Sequence, residues 1–312
     1  MKTFLLQHLI CPACLPRECN LVVKTHKVDR HNDDDILSGE LACPKCNRIF
    51  PIKEGIAYLL LNQDSHGMRY EDPDMVDRYL WSHYSDLLET HKPDVSPFFW
   101  SSCLTQTPAA SFDAGCAVGR LVFEMGRNGN MAVGCDLSGS FIRTARNLMK
   151  QRRCRFSLPL EGKIRETFTV LLPESWRTDN IDFIVADAQA LPFSRGTFQQ
   201  VSSLNLLDRV PHPLAHLYEM NRVAAPIEAA FLFADPFSWL TSPAPEERWL
   251  GGTISGPYSG RGNDNVRDLL RGKNSIMMPA WNIAQSGRHE WQIPTHRNHN
   301  EHIISDYMVA KR

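Results

Sequence analysis

The pattern of apolar and polar residues changes rhythm along this chain, and each change marks a structural unit. Near the start, Leu21, Val22 and Val23 fall in a β-prone segment over residues 20–27, and a polar stretch over 29–35 reads as an exposed loop. The run 48–60, with Ile49, Phe50, Ile52, Ile56, Leu59 and Leu60 around Gly55, predicts a β-hairpin and its exit. Residues 61–100 are polar, with helical character over 75–88. Beyond them, short apolar runs at 110–113, 131–136, 181–186, 200–203 and 229–234 predict strands, and 121–125, 138–151 and 214–223 carry helical periodicity. Strands alternating with helices specify a parallel, doubly wound sheet. The closing pair 290–294 and 302–310 predicts an antiparallel hairpin at its end. Residues 152–180 read as an insertion, and 236–286 form a long stretch rich in Gly and Pro, a length that is uncommon unless functional. The expected organisation is an α/β chain with a small domain over 1–60, a helical connector over 61–100 and a larger domain over 101–312.

Composition narrows the partners. The 312 residues carry 34 Lys and Arg against 35 Asp and Glu, a net charge of −1, so no global field steers the chain to nucleic acid or acidic lipid. No apolar run reaches the roughly 18 residues that span a bilayer. The opening residues 1–10 are apolar only briefly, are broken by Gln7 and His8, and run into a Cys pair, so they do not read as a signal peptide. Nine cysteines without such a signal favour thiols and metal over disulfides, and hence a reducing, cytoplasmic setting.

Four of those cysteines form two pairs, Cys11-Pro-Ala-Cys14 and Cys43-Pro-Lys-Cys46. Each pair lets two thiolates grip one ion from a tight turn, and two such turns complete a tetrahedral site. The intervening 28 residues exceed the common ribbon spacing. The metal is zinc or iron; the alternative is cysteines packed as small hydrophobes. Cys19 has no partner at ligand spacing. The pattern carried by Leu9, Cys11, Pro12, Cys14, Leu41, Cys43, Cys46, Arg48, Phe50, Pro51, Ile52, Gly55, Ile56, Leu59 and Leu60 resembles the small zinc-ribbon proteins that activate tRNA, rRNA and release-factor methyltransferases. Those are usually separate chains, so the resemblance implies a stabilising or docking module here.

A second signature, Phe112-Asp-Ala-Gly-Cys-Ala-Val-Gly-Arg120, ends one predicted strand and begins a helix. Gly115 and Gly119 let the backbone approach a ligand, and the helix start favours a carboxylate. Asp136 ends the next strand, where an acid accepts ribose hydroxyls. Asp187 ends the third, where an acid or a neighbouring amide meets adenine. A dinucleotide fold would look similar, but the third glycine of its fingerprint is missing. The series resembles class I S-adenosylmethionine-dependent methyltransferases with a Rossmann-like sheet. That resemblance implies cofactor contacts from Asp113, Gly115, Cys116, Gly119, Arg120, Asp136, Leu137, Asp187, Ala188 and Asn205. Arg120 has two open roles, binding a substrate carboxylate or pairing with an acid.

In this fold the end of the fourth strand faces the transferred methyl group. The chain carries Asn205-Leu-Leu-Asp-Arg209 there, neither an Asn-Pro-Pro-Tyr motif nor a Pro-Cys pair. The motif resembles histidine Nπ-methyltransferases, both the protein-modifying family and the methyltransferase domain of ovothiol biosynthesis. Residues 115–120 and 136–142, Asp235-Pro-Phe-Ser-Trp-Leu240 and Arg248-Trp-Leu-Gly-Gly252 resemble the latter too. The resemblance implies that Asp208 accepts the imidazole Nτ–H so that Nπ faces the cofactor, and that Asn205 orients the ring or the substrate backbone. On the residues alone, the better reading is that Asn205 caps the strand and Asp208 caps the helix before Pro211. Tyr307 lines the same pocket or is a half-buried strand aromatic; Trp239 and Trp249 stack on an imidazole or pack in the core. The ovothiol enzyme carries an iron-dependent domain where this chain has a ribbon, which leaves a small histidine derivative and a protein histidine both open as acceptor. Two other classes stand beside this: an RNA methyltransferase using the basic run 143–155 and the ribbon, and a non-catalytic scaffold.

Overall fold

The computed structural model describes residues 1–29, 32–61, 68–89, 98–105, 110–296 and 298–312. Short 3-10 turns at Thr3–Gln7 and Pro12–Cys14 lead into β1 (Val22–Asp29), β2 (Asn32–Ala42), β3 (Ile49–Lys53) and β4 (Ile56–Ala57), an antiparallel sheet in sequence order. The polar stretch 29–35 is therefore not an exposed loop: β2 starts at Asn32, and Asp35 is 1 % exposed. The reason is a buried cation. Arg146 Nη2 donates to Asp35 Oδ1 at 2.7 Å and Oδ2 at 2.9 Å, and its Nη1 pairs with Asp182. A desolvated guanidinium needs such partners. The same contact takes Arg146 out of the basic run read as a solvated or RNA-facing surface.

The connector forms α1 (Pro73–Tyr84), started by Pro73 and capped by Asp72, whose carboxylate accepts from the Asp74 N–H at 2.9 Å. Then come β5 (Ser111–Ala114), α2 (Arg120–Gly126), β6 (Ala132–Asp136), α3 (Gly139–Gln151), β7 (Arg153–Glu161), β8 (Ile164–Leu171), β9 (Ile181–Val185), β10 (Gln200–Leu204), α4 (Pro213–Val223), β11 (Ala230–Asp235), α5 (Gly262–Leu270), β12 (Asn282–His296) and β13 (His299–Lys311). Seven of these strands form one sheet in the order β12-β13-β11-β10-β5-β6-β9. Its inner strands are parallel and buried on both faces, so they read as continuous apolar runs, and β13 closes it antiparallel to β11. The insertion 152–180 contains the β7–β8 hairpin, and the stretch 236–286 contains α5. No helix among the described residues is long and apolar enough to cross a membrane.

Two features of this frame shape the site. First, the chain leaving β4 runs along the β9 edge: Tyr58 bridges Val185 in parallel, and the Leu59 N–H donates to the Val185 carbonyl at 2.8 Å. Leu5, Leu41 and Phe50 of the N-terminal unit share one core with Phe112, Phe193 and Phe198. Second, the final hairpin is longer than the sheet. β11 covers β13 only from Asp306 to Lys311, so the arm 289–305 overhangs the carboxyl ends of the parallel strands, where open α/β sheets bind ligands.

Candidate active site and cysteine cluster

The four cysteine sulfurs lie within 4.8 Å of one another. Cys11 and Cys46 are 3.7 Å apart, as are Cys14 and Cys43. A tetrahedral ion with Zn–S of about 2.3 Å sets sulfurs about 3.8 Å apart, so the geometry and the all-thiolate donor set fit zinc. Each turn is held by its own backbone, with Cys14 N–H donating to the Cys11 carbonyl at 3.1 Å and Asn47 N–H to the Cys43 carbonyl at 2.9 Å. Burial pushes the Cys11 thiol up to about 11. Burial raises Cys43 too, but the peptide N–H groups of Cys46 and Lys45 outweigh it and bring that thiol to about 7. Four protein ligands leave no open position, so the cluster is structural. Cys19 is buried beside it, and its carbonyl accepts from the Cys11 N–H at 2.8 Å.

At the carboxyl ends of β5, β6, β9 and β10 lies a cavity of about 730 Å³. Asp113, Gly115, Cys116, Asp136, Leu137, Asp187, Ala188 and Asn205 all line it. Gly115, at φ +72, is glycine because a Cβ would meet Leu206 at 2.9 Å. Asp136 organises the cradle: its carboxylate accepts from the Ala117 N–H at 3.0 Å and the Ser138 N–H at 2.9 Å. Burial raises its pKa to about 6 despite those bonds. Asp113, also buried, accepts from the Ser202 hydroxyl at 2.5 Å and is pushed to about 7 by burial. Asp187 accepts from the Gln189 N–H at 2.9 Å. Gly119 and Arg120 lie outside the cavity lining. Gly119 backs onto Phe183, which a Cβ would meet at 2.6 Å. Arg120 is 2 % exposed and pairs with Asp86 at 2.5 Å and Glu124 at 2.7 Å, which settles its two open roles as an ion pair. Because Asp86 lines the cavity, this pair ties the connector to the start of α2.

The far end of the cavity is aromatic. Phe99, Trp100 and Trp291 line it together with His289. The His289 ring stacks on Phe99, with centroids 4.0 Å apart and planes at 11°, and burial lowers its pKa below 6.5. Asn205 sits where β10 ends, in the left-handed region at φ +56. Its side-chain oxygen accepts from the Ser305 hydroxyl at 2.6 Å, and Ser305 in turn accepts from Trp291 Nε1 at 3.1 Å. The indole is donor-only, so the Ser305 proton points to Asn205 Oδ1 and the Asn205 amide nitrogen is left to donate.

Asp208 and Tyr307 are not in the lining. Asp208 is 1 % exposed and turned toward Ser238, whose N–H and hydroxyl donate to Oδ2 at 3.0 and 2.6 Å. Tyr307 lies behind Phe99, edge-on at 5.4 Å, and accepts from Gln285 at 3.0 Å. Trp239 and Trp249 stack on each other, 6.1 Å between centroids, away from the cavity, while Leu240 and Pro243 border it. Sequence reasoning missed Phe99, His289, Trp291 and Ser305. The i, i+2 spacing of His289 and Trp291 on a strand was the available signal.

Residues 112–227 match the family model for a methyltransferase domain, and residues 2–55 match the model for a Trm112p-like protein. The chain carries a methyltransferase domain. Its cofactor cradle falls mostly within the first match, and all four clustered cysteines fall within the second. No curated protein matches the chain. Among solved structures, a Methanosarcina mazei SAM-dependent methyltransferase is 17 % identical over 70 % of this chain and 98 % of its own, with a TM-score of 0.44. Magnesium protoporphyrin IX methyltransferase from Synechocystis with bound SAM is 15 % identical over 69 % of this chain and 75 % of its own, with a TM-score of 0.40. A chain from the complex between the Haloferax volcanii Trm112 methyltransferase activator and a methyltransferase is 16 % identical, covering 59 % of this chain and 66 % of that one, with a TM-score of 0.33.

Proposed function

We propose that this methyltransferase acts on the Nπ nitrogen of a histidine imidazole. One observation carries the reading. The turn Asn205-Leu-Leu-Asp-Arg209, which resembles that of histidine Nπ-methyltransferases, contributes Asn205 and Arg209 to a cavity that Phe99, Trp100 and Trp291 also line. Stacking surfaces such as Phe99, Trp100 and Trp291 suit a planar ring.

S-Adenosylmethionine supplies an electrophilic methyl group on a sulfonium. The chain's task is to present one nitrogen lone pair in line with it. A neutral imidazole has one such nitrogen and one N–H, so the site must fix the tautomer. Asn205, held by Ser305, orients the acceptor. His289, whose pKa burial lowers, is a base at the aromatic wall and takes the proton that the ring sheds after transfer. Asp208 is a positioning residue: it holds the turn through Ser238 and lies 3.2 Å from Arg209 Nε. Tyr307 supports the Phe99 wall from behind.

Purified full-length protein, given methyl-labelled cofactor and either free L-histidine or a histidine-containing peptide, should yield labelled Nπ-methylhistidine after hydrolysis. Label in the Nτ isomer alone, or in neither, contradicts the reading.

The Trm112p-like domain supports a second reading, methylation of tRNA or rRNA with the ribbon as activator in cis. It predicts salt-sensitive RNA binding. The burial of Arg146 between Asp35 and Asp182 weakens it, because the basic run loses a central member.

A further inference from the structure

The turn that follows β9 closes on itself. The Ala190 N–H donates to the Asp187 carbonyl at 3.0 Å, and the Asp187 carboxylate accepts from the Gln189 N–H at 2.9 Å and from the Gln189 side-chain amide at 3.0 Å. Asp187 and Ala188 both line the cavity. Ala188 is 6 % exposed, and among the described residues its N–H has no hydrogen-bond partner. Buried backbone donors are rarely left so, and this one lies on a cavity wall, where a ligand can take it.

Local bonds fix the shape of this turn but not its place against the sheet. The place is set from α4. His216 is fully buried and lies outside the cavity lining. Its Nδ1 is 3.1 Å from the Ala188 carbonyl and its Nε2 is 2.7 Å from the Ser203 hydroxyl on β10. A carbonyl only accepts, so Nδ1 carries the proton and Nε2 accepts from Ser203. Burial lowers the pKa of the ring to about 4, so it stays in this one neutral form at neutral pH. The imidazole is thus a fixed spacer between β10 and the turn. Further along the same helix, Glu219 accepts from the Leu191 N–H at 2.6 Å and Arg222 donates to the Leu191 carbonyl at 2.8 Å. Of these three side chains, only His216 reaches a residue that lines the cavity.

We propose that His216 is a positioning residue for the cofactor's adenine: it holds the Ala188 segment so that the free Ala188 N–H donates to an adenine ring nitrogen, beside the Asp187 carboxylate as acceptor for the exocyclic amine. The inference rests on the Asp187 turn as the adenine end of the site and is independent of the methyl acceptor. Hypoxanthine inverts both groups, with a proton on its ring nitrogen and a carbonyl in place of the amine. A turn held in register rejects it, and a turn set loose discriminates less.

The test is titration calorimetry on the full-length protein with S-adenosylhomocysteine and S-inosylhomocysteine. The unaltered protein should favour the adenine compound about tenfold or more, the scale of one buried donor left unpaired. His216→Phe keeps a ring without either nitrogen and should remove most of that preference. His216→Asn returns an N–H at the δ position and should restore it. A ratio unchanged in His216→Phe, with both affinities lowered together, leaves adenine at the turn and overturns the role of His216. A ratio lost equally in the Phe and Asn variants overturns it too, because packing rather than the N–H would then be what matters. No preference in the unaltered protein, or binding of neither compound, overturns the adenine assignment and the inference with it. Should His216→Phe fail to fold, Ser203→Ala, which frees the imidazole from β10, must lower the ratio; an unchanged ratio there counts against the role of His216.

Discussion

The Ser305 hydroxyl donates to the Asn205 side-chain oxygen at 2.6 Å, across 100 residues of sequence. Asn205 follows the end of a parallel strand and Ser305 immediately precedes the part of β13 that pairs with β11, so the contact exists only once the sheet is complete. Ser305 is fully buried, and its lone pair takes the Trp291 indole N–H. The orientation of an amide in the active site is thus set by a strand that adds no cradle residue of its own.

Removing that donor should disturb catalysis more than binding of the cofactor. Ser305→Ala is expected to lower turnover about tenfold, the scale of one lost hydrogen bond, with cofactor affinity unchanged. Trp291→Phe should show the same split more weakly. Steady-state kinetics beside calorimetry with S-adenosylhomocysteine checks it. An equal loss in both would mean that Ser305 only stabilises the sheet.

Cofactor affinity should rise with pH through about 6. Asp136 has its carboxyl raised from 3.8 to about 6 by burial, and it accepts ribose hydroxyls best when ionised. Stability of the cofactor-free protein moves the other way. A carboxyl whose folded pKa lies above its unfolded value binds more protons when folded, so its contribution is present at acid pH and is lost as pH rises through about 6. Calorimetric affinities and thermal midpoints from pH 5 to 8 would show both trends; Asp136→Asn should flatten the affinity trend and reduce the stability trend, the rest of which Asp113, raised to about 7, carries.

Arg146→Met should be strongly destabilising. It leaves Asp182 buried without its cation, while Asp35 keeps the N-terminal ammonium and Lys150, a loss of about 3 kcal/mol. Arg143, half-exposed at 48 % beside the exposed Glu54, is the control. Its replacement by Ala should change stability by less than about 1 kcal/mol. Denaturant unfolding of the two variants decides the matter.

Metal removal should lower the stability of the whole chain. The cysteine cluster fixes turns whose strands share a core with Phe112, Phe193 and Phe198 and continue into the β9 edge. The purified protein should hold one zinc equivalent, and chelation or Cys14→Ser should shift a single unfolding transition downward. Two independent transitions, with the larger unchanged, would mean that the ribbon folds and fails alone.

What the sequence made legible is what its chemistry restricts to few residue types. The paired cysteines, the glycine turn with Asp136 and Asp187, and the buried parallel strands all depend on local spacing. What stayed hidden depends on distant partners. Asp35 looked like part of a solvated loop because nothing near it announces Arg146, 111 residues away. Arg120 looked like a ligand contact because its acid partner, Asp86, lies in another unit. The reach of β12 was underestimated because His289 falls at the edge of the apolar pattern, although it faces the cavity. The β7–β8 hairpin was the avoidable miss: Cys154, Phe156 and Leu158 alternate with exposed or polar residues, the ordinary signature of a strand with one buried face.

The most direct test of the central claim is methyl transfer from isotope-labelled S-adenosylmethionine into a cell extract separated into small-molecule, protein and RNA fractions. Each fraction is hydrolysed and the two methylhistidine isomers are resolved. The account predicts label in Nπ-methylhistidine, in the small-molecule or the protein fraction. Label only in RNA, or in a product without an imidazole, would contradict it.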